Sequence, residues 1–216
     1  MKNTKKRALR ALCVCLALLT LAASLSACGK RLVQEGTRLT DRQNHVSYTD
    51  ISGVYMAKSV SSDVYATFKL NGVKKTFYAI EGMDPLEWLV SQYGELFYSG
   101  SDTLPGLTGF VPDNILVCTN ADIPMTLYEI DDGTRIAMIV AAFEHGENTE
   151  IPDGVQAEYY AVRFSSPLYP SLYYALKLAV TDDAVYMFSR YDGICVNMGD
   201  LFDGYIPDYF VDEEDY

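Results

Sequence analysis

The sequence predicts an α+β fold that is mainly β: a bent antiparallel sheet or partial barrel carrying one packed amphipathic helix, with a β-sandwich as the alternative. Three observations carry this expectation. Residues 64–80 alternate apolar and polar around Asn71-Gly72; a series of short strand-like runs is joined by acidic turns; and one stretch after residue 84 combines helix-start signals with an apolar stripe.

The chain begins with Lys2, Lys5, Lys6, Arg7 and Arg10, and then runs apolar from Ala11 to Ser26 apart from Thr20, Ser24 and Ser26. A basic n-region followed by a short apolar h-region is the pattern of a cleaved export signal, and an uncharged run this short falls below the roughly 20 residues of a comfortable membrane span. The run closes on Leu25-Ser26-Ala27-Cys28. Over residues 1–28 the chain resembles bacterial lipoproteins, whose lipobox these four residues match at every position. The resemblance implies that a peptidase removes residues 1–27, that Cys28 carries a diacylglycerol, and that the mature protein is held on the extracytoplasmic side of the cell membrane. Two acyl chains hold stably where one holds marginally, at about 0.8 kcal/mol per buried CH₂. Lys30, Arg31, Arg38 and Arg42 against Glu35 and Asp41 make the following segment locally basic, which suits an anionic lipid surface.

Residues 28–46 are polar without sustained periodicity and read as a flexible tether; the domain is expected over 47–198. Within it, Val64 to Leu70 and Val73 to Ile80 pair around Asn71-Gly72, which supplies the positive φ of a two-residue type I′ turn. Pairing outward sets Leu70 against Val73, Phe68 against Lys75, Ala66 against Phe77 and Val64 against Ala79 on one face. Lys69/Lys74, Thr67/Thr76 and Tyr65/Tyr78 fall on the other.

Asp84 as N-cap, Pro85 at the first helical position and Glu87 three residues after the cap predict a helix over about 85–98, with Leu86, Leu89, Val90, Tyr93, Leu96 and Phe97 as its apolar stripe. Ser99 to Asn114 reads as a loop. Strands are expected at 115–119, 125–130, 135–143, 155–164, 172–180, 184–191 and 194–197, and an acidic aromatic tail over 199–216.

Composition limits the function. The signal takes five of the 17 basic residues and none of the 29 acids, leaving the mature chain with 12 against 29, a formal charge near −17. That excess opposes nucleic-acid binding. Of five cysteines, Cys13 and Cys15 lie in the signal and Cys28 in the lipobox, so Cys118 and Cys195 remain, able to form one disulfide or to serve as small hydrophobes in apolar strands.

No catalytic, metal-site or cofactor signature stands out. His45 and His145 fit no zinc spacing; Glu144, His145, Glu147 and Glu150 form one acidic cluster; and GxSxG, Walker and GxGxxG patterns are absent. The tail offers carboxylates without an ordered calcium loop. The 17 tyrosines, among them Tyr159-Tyr160, Tyr169 and Tyr173-Tyr174, must place some rings on a solvent face and so could form a binding platform. The expected function is therefore a lipid-anchored binding or interaction module for a protein or glycan ligand, without a cofactor. A cell-envelope hydrolase using paired carboxylates is the alternative.

Overall fold

The computed structural model describes residues 32–100, 103–121 and 123–207, and in these the chain is mainly β with two antiparallel sheets and one long helix. Cys28 and the tail beyond 207 lie outside the described residues. The first sheet comprises β1 (Leu32–Glu35), β2 (Arg38–Asp41), β3 (Val46–Asp50), β5 (Val60–Leu70), β6 (Val73–Ile80), β7 (Trp88–Ser91) and β8 (Leu96–Tyr98), in spatial order β1-β2-β3-β8-β7-β6-β5. The second comprises β9 (Asn114–Thr119), β10 (Thr126–Ile130), β11 (Glu158–Ser165), β12 (Leu172–Val180), β13 (Val185–Phe188) and β14 (Cys195–Asn197), in order β10-β9-β11-β12-β13-β14. The short strand β4 (Tyr55–Ala57) adds to it alongside the start of β12.

The first sheet curls until its outer strands approach each other. Lys75 on β6 donates to Gln34 on β1 at 3.1 Å, and the Tyr65 hydroxyl on β5 donates to Asp41 on β2 at 2.6 Å. Inside the curl Leu32, Leu39, Tyr48, Ala66, Phe68, Phe77, Leu89 and Phe97 form one apolar cluster. Asp41 is fully buried beside it. Its carboxylate accepts the backbone N–H groups of Gln43 and Asn44, the Asn44 amide and the Tyr65 hydroxyl, which fixes the β2–β3 turn. The tether expected over 28–46 is thus corrected: from Leu32 onward that segment is largely sheet, its apolar positions being few, with Leu32 and Leu39 fully buried.

The 64–80 hairpin forms as expected, with Asn71 at φ 51° and Gly72 at φ 84°. Its register follows the expected pairs from Leu70/Val73 to Ala66/Phe77. A bulge at Tyr65 then moves Val64 opposite Tyr78, leaving Val64 exposed and turning the Tyr65 hydroxyl toward Asp41.

The helix expected over 85–98 is a hairpin. Asp84 does cap one turn, accepting the Leu86 N–H on its side chain and those of Glu87 and Trp88 on its carbonyl. The chain then runs extended because β7 lies between two cores: Leu89 enters the curled sheet, while Trp88 and Val90 enter the cluster between the sheets. A strand buried on both faces reads as a continuous apolar run, and Leu86/Leu89/Val90 in such a run imitates helical spacing.

The helix lies instead at Gly133–His145 (α2), where a strand was expected. Asp132 caps it through the N–H groups of Thr134 and Arg135, and Ile136, Ile139, Val140 and Phe143 face the second sheet. Their i, i+3, i+4, i+7 spacing was masked by the β-branched run and by an Asp-Asp-Gly that resembles a hairpin turn. The one-turn helix α1 (Leu107–Phe110) plugs Leu107 and Phe110 into the same cluster. The domain also extends past 198. Leu201 and Phe202 are buried, and Arg135 donates to the carbonyls of Asp200 and Leu201 while lying over the Tyr205 ring.

Candidate functional site

The second sheet packs one face against α2 and presents the other outward, and strand periodicity decides which side chains appear there. On β11, Tyr160, Val162 and Phe164 point inward, leaving Ala161 and Arg163 outside; on β12, Leu172, Tyr174, Leu176 and Leu178 point inward, leaving Tyr173, Ala175 and Lys177 outside. The register aligns Cys118, Ala161, Lys177 and Phe188 in one row across four strands, and Leu116, Arg163 and Ala175 in the next. Arg163 and Lys177 are therefore diagonal neighbours, about 7–8 Å apart between backbones. The other two corners of that square are alanines. Two long cations framing two methyl groups leave a hollow.

This hollow is a pocket of about 320 Å³, walled by Met56, Pro124, Phe188 and Tyr191 and completed by Arg190. The Tyr191 ring lies directly against Gly53, so closely that a Cβ there would overlap it. Beside the pocket Tyr173 carries Lys58 and Arg163 at 5.1 and 5.6 Å from its ring centre.

Among the described residues the electrostatics are one-sided, because no Asp or Glu of them lines the pocket. Burial and then the charges of Arg190 and Arg163 push the Lys177 ammonium below its usual pKa. Among the described residues Lys177 donates to the neutral side-chain carbonyl of Asn120. The Nε of Arg163 is buried and donates to nothing. Beyond Lys75 the chain has four basic residues, Arg135, Arg163, Lys177 and Arg190, and three of them line this one pocket.

On the other side of Tyr191 lies a wider cavity of about 520 Å³, lined by Asp50, Tyr55, Tyr98, Tyr174 and Asp192. Asp50 accepts the N–H and hydroxyl of Ser52, and Asp192 accepts the Ser189 hydroxyl, so each carboxylate secures its own turn. Burial, then the charges of Asp192 and Glu144, push the Tyr174 phenol up to about 12. Tyr55, donating to the Pro105 carbonyl, is raised further, mainly by burial.

The residues singled out from sequence do not gather into a site. Cys118 and Cys195 are both free. β9 and β14 are separated by three strands, about 19 Å at the usual 4.8 Å spacing, far beyond the reach of a disulfide. Burial and Glu150 raise the Cys195 thiol. Glu144 accepts the Thr108 N–H, and among the described residues no group of three or more His, Cys, Asp and Glu is arranged to hold a metal. The tyrosine pairs split between the faces as expected: Tyr160 and Tyr174 are buried, whereas Tyr159 and Tyr173 stand outside.

Sequence reasoning missed Arg163, Lys177 and Arg190. The available signal was a single cation inside each of two strongly apolar strands, each two positions from an outward alanine. No helix among the described residues is long and apolar enough to cross a membrane. Comparison with protein-family models, with curated proteins and with solved structures finds no match.

Proposed function

We propose that this protein is a lipid-anchored extracytoplasmic binding module, diacylated at Cys28, that holds a small ligand on the outer face of its second sheet. The observation that carries the binding reading is the alanine-floored pocket walled by Phe188, Tyr191 and Met56: a few convergent polar groups within an apolar wall are the usual make-up of a ligand site. The anchor rests on Leu25-Ser26-Ala27-Cys28. With Leu32 already in β1, the four residue steps from Cys28 span at most about 14 Å. The domain would then ride against the bilayer surface, with the ligand face on the sheet that the anchor does not enter.

The hydrolase alternative would draw on Asp50 and Asp192, which share the wider cavity. Their engagement in turn-capping hydrogen bonds favours binding over carboxylate chemistry.

Two measurements test the proposal. Mass spectrometry of the protein isolated from its membrane should find a diacylglyceryl group on Cys28; an unmodified cysteine contradicts the anchor. Calorimetric titration of the purified full chain with a small-molecule extract of the cell envelope should saturate, and Ala175→Phe, which fills the pocket floor without removing a charge, should abolish the heat. Turnover of an envelope glycan or peptide that Asp50→Asn removes, with no binding sensitive to Ala175→Phe, contradicts the module reading.

A further inference from the structure

We propose that the pocket framed by Arg163, Lys177 and Arg190 is a receptor for a small organic dianion, a phosphate monoester or a dicarboxylate, whose ring or apolar body packs between Phe188 and Tyr191. This rests on the binding reading above and gives the ligand its chemistry.

Charge placement favours an anion. A chain with a formal charge of −12 overall, and a larger deficit once the signal is removed, has placed three of its last four cations around one hollow, with no Asp or Glu among the described residues that line it. Mutual repulsion and burial both oppose this arrangement, as the lowered Lys177 pKa reflects. A bound anion offsets the repulsion and gives each buried charge an opposite partner.

Unused donor capacity favours it too. The buried Arg163 Nε has no acceptor, and the guanidinium lies over Tyr173; a guanidinium with its Nε–H unclaimed suits the forked oxygens of a phosphate or carboxylate. Three cations suit two negative charges better than one, and a phosphate monoester carries about −1.5 to −2 at neutral pH.

Size and selectivity agree with a small dianion. A volume of about 320 Å³ lies at the small end of ligand sites, enough for a ring and one charged group. Nucleic acids and other long polyanions must approach the acidic surface, whereas a small dianion feels chiefly the charges within about 8–10 Å at physiological salt. The local positive field inside a negative protein therefore admits small anions and rejects large ones.

The experiment is calorimetric titration of the purified full chain with phenyl phosphate, phthalate and neutral benzyl alcohol, at low salt and at 0.15 M salt. One or both dianions should saturate at one site, with benzyl alcohol at least tenfold weaker and the dianion affinity falling as salt rises; the two dianion arms separate phosphate from carboxylate sources. Lys177→Gln and Arg190→Gln should each weaken the dianion tenfold or more, while the fluorescence of Trp88, the single tryptophan, reports an intact fold. Equal affinity for benzyl alcohol and the dianions overturns the inference, as does undiminished dianion binding in both variants. If neither dianion saturates by 10 mM while the envelope extract still gives heat sensitive to Ala175→Phe, the anion inference falls and the binding module stands.

Discussion

Replacing Gly53 by alanine should displace Tyr191, the ring that divides the basic pocket from the wider tyrosine-lined cavity. Gly53 has φ +147°, and a Cβ built there would fall 2.0–2.2 Å from Cε2, Cδ2 and Cζ of Tyr191. Two costs follow. A non-glycine residue at this φ stores about 1–3 kcal/mol of backbone strain. The ring, 63% exposed, must also give up its remaining contact: roughly a third of a tyrosine's 150–250 Å², or about 2 kcal/mol at ~25 cal/mol per Å².

Tyr191→Ala alone forfeits the same contact and costs about 2 kcal/mol by the same reckoning. The double variant then suffers the strain once and loses the contact once, so its destabilisation should match that of Gly53→Ala alone and fall short of the sum of the singles by about 2 kcal/mol. Urea unfolding followed by Trp88 fluorescence measures all four proteins, because this side chain is 5% exposed and packs on Tyr98 in the core between the sheets. Additive effects would refute the placement of the Tyr191 ring on Gly53.

Other outcomes can be checked directly. Asp41→Ala should cost about 1–3 kcal/mol in urea unfolding, since it removes the buried acceptor shared by the half-buried Tyr65 hydroxyl and the exposed Asn44; a change under 0.5 kcal/mol contradicts the role of the carboxylate in holding the β2–β3 turn. Tyr174 and Tyr55 keep their protons in the folded state above the ordinary phenol pKa of about 10, whereas the unfolded chain releases them there. Their contribution to stability is complete below pH 10 and is lost as pH rises toward 12, so urea midpoints should fall over that window and fall less in Tyr174→Phe. Under non-reducing denaturation a thiol reagent should titrate both Cys118 and Cys195. In the native protein Cys118, 1% exposed, should resist modification.

The legible parts of the fold were those in which local chemistry and tertiary context agree. Asn71-Gly72 fixes a turn that no packing needed to override, and the alternation around it gave the register as far as Ala66/Phe77, where a bulge visible only in three dimensions intervenes. The helix expected over 85–98 and the strand expected at 135–143 failed for one shared reason. Leu89 and Val90 serve two cores from opposite faces of one strand, whereas Ile136, Ile139, Val140 and Phe143 serve one core from one helical face; as one-dimensional apolar runs the two segments look alike. Length and capping were the distinguishing features. Asp84 caps a turn that stops, and Asp132 caps one that continues for 13 residues.

The pocket was less legible still. Arg163 and Lys177 are 14 positions apart and become diagonal neighbours only through the β11–β12 register, while Arg190 and Tyr191 arrive from beyond the end of β13. A lone lysine in Leu-Lys-Leu reads as an ordinary solvent-facing residue until the strands on either side are known to supply alanine and a second cation. The tyrosines are numerous, yet Tyr160 and Tyr174 face the core, and the residue that shapes the pocket is Tyr191.

The most direct test of the ligand face is an amide-resolved NMR titration of the isotope-labelled full chain with phenyl phosphate. The account predicts saturable shifts confined to Ala161, Arg163, Ala175, Lys177, Phe188 and Arg190 to Tyr191, with the curled first sheet unmoved. Shifts centred on Asp50, Tyr98 and Asp192, or spread without saturation over the surface, would contradict it.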